Sequence, residues 1–290
     1  MKRSLLLLTL FALHAALAGE PAAIPLWPDK PPQFLAGAPK EVRDENGRIR
    51  NVTIPAIVPF LPPAGSGKSR AIIVCAGGGY GALGWKTHVQ YAADVFNPLG
   101  VAVIGLKYRL RPPHKLDNAG IQALTLLDAK RAVRLIRHRA KEWGIDPNQI
   151  GIAGASAGGN LAMNLAANFD LGDPKATDPI ERLSSRPDFA VGLATWHWRK
   201  KESPFVFSKN TPPVYLVHAT NDGLKGGAPI ELPRQIKRDL TALGVPVHMD
   251  EFPMGAHGVG NLIPQRVKRG YPPARWPWLL LGWLDTLDAK

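Results

Sequence analysis

From residue 70 onward the chain alternates between two apolar spacings. Unbroken apolar runs are "AIIVCA" (71–76), "VAVIGLKY" (101–108), "IGIAGA" (150–155), "FAVGLAT" (189–195), "VYLVHAT" (214–220) and "VPVHMDEF" (245–252). Each is short and bounded by turn-forming residues, which predicts strands buried on both faces. Stretches with helical spacing lie between or after them, near 86–97, 118–143, 157–168, 230–243 and 274–288. Strand and helix in alternation predict right-handed crossovers and an α/β fold built on a mostly parallel, doubly wound sheet. Residues 19–65 are different: the stretch "RIRNVTIPAIVPFLPP" has β-branched residues interrupted by prolines, a pattern of edge strands. No internal repeat or linker divides 19–290, so a single domain is expected.

Residues 1–18 stand apart. A positive head, "MKRS", leads into the apolar "LLLLTLFALHAALA" and the A-x-A site Ala16-Leu17-Ala18. That is the pattern of a removable signal peptide, and the run is short for a membrane span. No cysteine follows for a lipid anchor, and no other apolar run is long enough to span a bilayer. A secreted or periplasmic protein beginning near Gly19, without a membrane anchor, is expected. The lone cysteine, Cys75, excludes an internal disulfide and sits in an apolar run, where a buried structural thiol is expected.

Loss of Lys2 and Arg3 takes the formal charge from +13 to +11. The densest basic cluster is "KRAVRLIRHRAK" (130–141). At helical spacing Lys130, Arg134, Arg137 and Lys141 form one stripe, with Val133, Ile136 and Ala140 opposite. The expected role is a solvated helix face; the alternative is a surface for acidic polysaccharides. A nucleic-acid partner is not expected, because no recognition motif accompanies the charge.

In open parallel sheets ligands bind beyond the carboxyl ends of the strands. After 150–155 comes Gly154-Ala155-Ser156-Ala157-Gly158, a G-x-S-x-G match. A serine on a sharp strand-to-helix turn exposes its hydroxyl, and close backbone contacts demand small neighbours. After 71–76 comes Gly77-Gly78-Gly79-Tyr80, a run that can turn amides toward an oxyanion. Two look-alikes fail. Gly79 to Gly84 fits G-x-G-x-x-G, but the next strand ends "GLKYRL" without an acid for a ribose. "GSGKS" (65–69) precedes its strand, and Pro62 stands where a phosphate loop needs its first glycine.

After 214–220 comes Asn221-Asp222-Gly223, an acid placed to orient a histidine or else a plain Asp-Gly turn. After 245–252 comes Gly255-Ala256-His257-Gly258. Of the eight histidines only His257 lies at a strand end after the acid. His218 and His248 lie within strands, and His197 is a pocket candidate. The order Ser156, Asp222, His257 is that of an α/β-hydrolase triad.

The stretches "CAGGGYGALGW", "LKYRL", "DAKRAVRLIRHRAKEWGIDPNQIGIAGASAGGNLA", "RPDFAVGL", "VYLVHATNDG" and "GAHGVG" resemble the α/β-hydrolase superfamily over roughly residues 50 to 288. Within it they are similar to small acetyl esterases and acetylxylan esterases. The resemblance implies Ser156 as nucleophile, His257 as base and Asp222 as its orienter. It implies the amides of Gly78, Gly79 and Ala157 as an oxyanion hole, with no metal or cofactor. Related enzymes often read His-Gly-Gly-Gly; here Ala76 takes the histidine's place, which leaves the bracing of that loop unaccounted for.

Only 65 residues separate Ser156 from Asp222, which leaves room for little or no lid. Trp196, His197 and Trp198 follow a strand end and, with Tyr80, are candidates for holding substrate. The tryptophans could equally fill the core. Export, an open site and these aromatics point to short acyl esters on carbohydrate such as xylan. The alternatives are a general short-chain carboxylesterase or lipase, a peptidase of the same fold, or a non-catalytic carbohydrate-binding relative. Oligomeric state is not legible in the sequence.

Overall fold

The computed structural model describes residues 19–63, 69–198, 204–223 and 228–289. The expected signal peptide and most of the "GSGKS" stretch lie outside the described residues. Before residue 64 the chain forms the short strands β1 (Ile24–Pro25), β2 (Val42–Arg43) and β3 (Ile49–Arg50), then β4 (Ala56–Phe60). The remaining strands are β5 (Ser69–Cys75), β6 (Ala102–Lys107), β7 (Ile145–Ala155), β8 (Ala190–Leu193), β9 (Val214–Ala219) and β10 (Val247–Phe252). Each matches a predicted run to within a few residues except β7. That strand begins at Ile145 rather than 150, because its pairing with β5 shifts register around the polar Asp146-Pro147-Asn148-Gln149. The polar insertion hides the strand's start from any reading of apolar runs.

The eight-stranded sheet has the order β1-β4-β6-β5-β7-β8-β9-β10, and a separate ribbon pairs β2 with β3. All neighbours from β6 through β10 run parallel; only β1 and β4 pair antiparallel. The edge expected from the prolines is there: β1 pairs only with Ala56 and Ile57, so Pro59 lies where β4 has a single neighbour.

The helices are α1 (Tyr91–Phe96), α2 (Arg111–His114), α3 (Asn118–Arg139), α4 (Ala157–Asn168), α5 (Glu231–Ala242), α6 (Pro264–Lys268) and α7 (Trp276–Asp288). A π turn, Lys86–Gln90, leads into α1. The chain leaves β5 toward β6 in one direction and crosses back over β5 to reach β7. With right-handed connections, α1 and α4 therefore cover opposite faces. The crevice between the ends of β5 and β7 is the topological switch point, where such sheets bind ligands.

α3 starts at the N-cap Asp117, whose carboxylate accepts the Gly120 amide at 2.7 Å. The expected solvated stripe is corrected in part: Lys141 is exposed, but Lys130 pairs with Asp170 at 3.2 Å, and Arg134 and Arg137 turn inward beside Arg131, which the stripe did not include. Arg131 is buried and pairs with Asp178 and Glu181 at 2.7 and 2.8 Å. Arg134 binds Asp170, Glu181 and the Leu183 carbonyl. Arg137 holds Asp188 and the carbonyls of Pro147, Ser184 and Arg186. The acids and carbonyls lie mostly in the 169–188 connection. The three arginines are thus a clamp that fastens the approach to β8, and those guanidiniums are not presented to a ligand. Arg109 of "LKYRL" meets Asp128 of α3 at 2.7 Å, both side chains fully buried, which ties the end of β6 to the same helix.

Candidate active site

Register places the site before any side chain is considered. Cys75 pairs with Gly154 across β5 and β7, so the next residues of each strand run side by side into the crevice. Ser156 follows β7 directly and is the N-cap of α4. Its backbone has φ 56° and ψ −118°. A non-glycine residue held there costs about 1–3 kcal/mol and points its side chain away from both strand and helix. The surrounding packing enforces the turn. A Cβ at Gly158 would lie 2.0 Å from the Cys75 carbonyl oxygen, so only glycine lets α4 approach β5 this closely.

Three strand ends then converge. Ser156 Oγ lies 2.7 Å from His257 Nε2, and His257 Nδ1 lies 2.9 Å from Asp222 Oδ2. An ionised carboxylate only accepts, so Nδ1 carries the ring proton and Nε2 is free to accept from the serine hydroxyl. Asp222 is fixed from its other side by the amides of Gly223 and Ala228 at 2.8 and 3.1 Å. The loop bearing His257 is tied to the same strand end, because the Ala256 amide donates to Asn221 Oδ1 at 2.9 Å. The polarity of the chain is clear from exposure: the Asp222 side chain is 1% exposed and that of His257 is 38% exposed. His218, expected to be structural, is buried and donates Nε2–H to the Ala228 carbonyl beside Asp222.

The glycine loop lies against the serine. A Cβ at Gly77 would sit 3.1 Å from that of Ser156. Among the described residues the Gly78 and Gly79 amides have no protein acceptor, and both glycines are exposed beside the turn. The Ala157 amide belongs to the first turn of α4, where the helix has no acceptor for it and favours negative charge. Among the described residues no group of three or more His, Cys, Asp or Glu is arranged to hold a metal ion.

Sequence comparison agrees with this architecture. A family profile described as "alpha/beta hydrolase fold" matches residues 72–184. The carboxylesterase NlhH of Mycobacterium tuberculosis is 33% identical over 236 residues, covering 70% of each chain. The chain belongs to the alpha/beta hydrolase family. An acetylxylan esterase of Xylanibacter ruminicola is 42% identical over 184 residues, which are 58% of this chain and 36% of that protein. The match to that relative thus spans about a third of its length. Among solved structures, an acetyl ester-xyloside bifunctional hydrolase from Caldicellulosiruptor lactoaceticus superposes with a TM-score of 0.73 at 29% identity. That match covers 94% of this chain and 98% of the other.

In this alpha/beta hydrolase the candidate substrate residues separate into two groups. Trp196 and Trp198 are half-buried, edge to face at 6.0 Å, and the Trp196 amide donates to the Ser156 carbonyl at 3.2 Å. The backbone of Trp196 thus lies directly beside the nucleophile turn. His197 is buried, its ring tilted against that of Trp198 at 4.1 Å and near Phe205. Tyr80 corrects the expectation of a substrate contact. It is fully buried, its ring meets Tyr108, and its hydroxyl donates to Asn160 Oδ1 at 2.7 Å.

Two residues near the site carry roles that pattern reading did not supply. Asn160, one turn into α4, accepts from both Tyr80 and Gln122 and so fastens the glycine loop to the nucleophile helix. His88, on the π turn before α1, accepts the Gly77 amide through Nδ1 at 3.3 Å. Cys75 is buried as expected, and burial pushes its thiol far above the ordinary range.

Proposed function

We propose that the protein is a serine ester hydrolase that removes short acyl groups, acetyl foremost, from carbohydrate such as xylan. The observation that carries this reading is the continuous hydrogen-bonded chain from buried Asp222 through His257 to Ser156. Ser156 Oγ attacks the ester carbonyl while His257 Nε2 takes its proton, and Asp222 stabilises the imidazolium and holds the tautomer. The amides of Gly78, Gly79 and Ala157 receive the tetrahedral oxyanion; one such donor is worth about 2.7–4 kcal/mol of barrier. His257 returns the proton to the leaving alcohol, and water activated by the same ring cleaves the acyl-enzyme.

Carbohydrate as the alcohol is supported by Trp196, whose amide bonds the Ser156 carbonyl, with Trp198 against it, and by the names of two similar proteins, an acetylxylan esterase and an acetyl ester-xyloside hydrolase. The same reading places the protein outside the cytoplasm after removal of residues 1–18; amino-terminal sequencing of the exported protein should begin at or near Gly19. Among the described residues no helix is long and apolar enough to cross a membrane. A general short-chain carboxylesterase is the second reading, favoured by the likeness to NlhH over 70% of both chains. A panel of acetylated xylo-oligosaccharides and p-nitrophenyl esters of rising chain length separates the two. Acetate release from the oligosaccharides with higher kcat/KM than from the simple esters supports the first reading. Activity on simple esters alone leaves the second, and activity on neither overturns both.

A further inference from the structure

The loop after β5 is held on both sides of Gly77. Its carbonyl accepts the Gly84 amide at 2.8 Å, and its amide donates to His88 Nδ1 at 3.3 Å. Gly77 is buried, so without His88 that amide would lose its partner away from water. His88 sits in the π turn Lys86–Gln90, an irregularity that often marks a functional position. The ring has two further neighbours, the Asn261 side chain and the backbone of Gly84, where a Cβ would lie 2.8 Å from Nδ1. Asn261 belongs to the loop that bears the base: its amide donates to the Gly258 carbonyl at 3.1 Å, one residue beyond His257.

We propose that His88 is a positioning residue that fixes the distance between the oxyanion donors and the general base, accepting the Gly77 amide on one side and lying against the Asn261 side chain on the other. The inference rests on the ester-hydrolase reading above for its kinetic consequence, and on the Gly77 amide at Nδ1 for its tautomer. An Nδ1 that accepts requires a neutral ring with its proton on Nε2. Loss of solvent around the ring, with His257 and Arg48 nearby, holds it well below the usual histidine range, at about 4, which keeps it neutral at working pH.

The kinetic test compares His88→Gln, His88→Leu and Asn261→Ala on p-nitrophenyl acetate. Glutamine offers an oxygen to the Gly77 amide, and leucine offers none. A misplaced donor costs on the order of 10–100-fold in rate. The expected result for His88→Leu is that loss in kcat, with KM within about threefold. A phenylboronic acid, which places a tetrahedral anion on Ser156, should weaken by the same factor. His88→Gln should recover most of kcat, and Asn261→Ala, in a partly exposed loop, should lose about threefold to tenfold. Equal losses for glutamine and leucine, or boronate affinity unchanged while kcat falls, would overturn the proposal.

A second arm uses no substrate. Nitrogen-15 spectra of the resting protein's histidines, with His88→Gln for assignment, should show His88 as the Nε2–H tautomer and unprotonated down to pH 5. An Nδ1–H tautomer, or titration between pH 5 and 7, would refute the geometry. If the wild type hydrolyses no ester, the functional reading fails while the tautomer result still decides the role of His88.

Discussion

On the arginine face of α3, the guanidiniums of Arg131, Arg134 and Arg137 all end on the protein itself, on acids and carbonyls of the 169–188 connection. At the strand ends the hydrogen bonds run instead from Asp222 at 1% exposure to His257 at 38% and then to Ser156, half-buried at the crevice. Both regions set ionisable side chains against the core. One closes its electrostatics internally and contributes rigidity; the other leaves one end of its chain unsatisfied and contributes chemistry. The density of charge along the sequence does not separate the two, and position relative to the strand ends does.

Replacing the open end of the chain should have the largest effect. Ser156→Ala is expected to lower kcat by at least about 10⁴-fold on p-nitrophenyl acetate, with an unchanged thermal midpoint. Asp222→Asn should approach the same loss, because it reverses the tautomer of His257. A Ser156→Ala protein that retains its rate, or loses it only by unfolding, would erase the contrast.

The pH dependence of stability comes next. The folded His88 pKa, about 4, lies below the ordinary histidine value of 6.5. The unfolded chain therefore binds this proton first as pH falls. The ring's contribution is intact above pH 6.5, is lost progressively toward pH 4 and is constant below that, a total of up to about 3 kcal/mol. Denaturant melts of wild type and His88→Gln should therefore converge as pH falls from 7 to 4. A difference that stays constant with pH would show that His88 does not carry it.

The closed region should respond in stability alone. Arg134→Met removes a largely buried guanidinium from two partly exposed acids and a carbonyl, and about 1–3 kcal/mol of stability should go with it. Its kcat and KM should stay within twofold of wild type on neutral and anionic substrates alike. A selective loss on anionic substrates would make the clamp a binding surface after all. The exposed pair Arg234–Glu251 supplies the lower limit: Arg234→Ala should leave thermal midpoint and kinetics unchanged.

What the sequence revealed follows the range of the interactions involved. The G-x-S-x-G turn is enforced by contacts between residues a few positions apart and one neighbouring strand, so its small residues betray it. Asp222 and His257 are legible because strand periodicity shows where each strand ends. The role of the α3 arginines is not legible because their partners lie about 40 to 50 residues away, in a connection without periodicity. The place of Tyr80 is not legible because an aromatic after a glycine run reads as exposed, whereas its φ of 61° accompanies a fully buried side chain bonded to Asn160. His88 left no signal beyond the missing histidine at Ala76, since its bond to Gly77 exists only after the loop folds back through the Gly84 amide.

Reaction with a fluorophosphonate, followed by intact mass and peptide mapping, decides whether Ser156 is the nucleophile. The geometry predicts one adduct per chain, on Ser156, forming in step with the loss of esterase activity and absent from Ser156→Ala. An adduct on another serine, or full esterase activity in a protein labelled at Ser156, would contradict it.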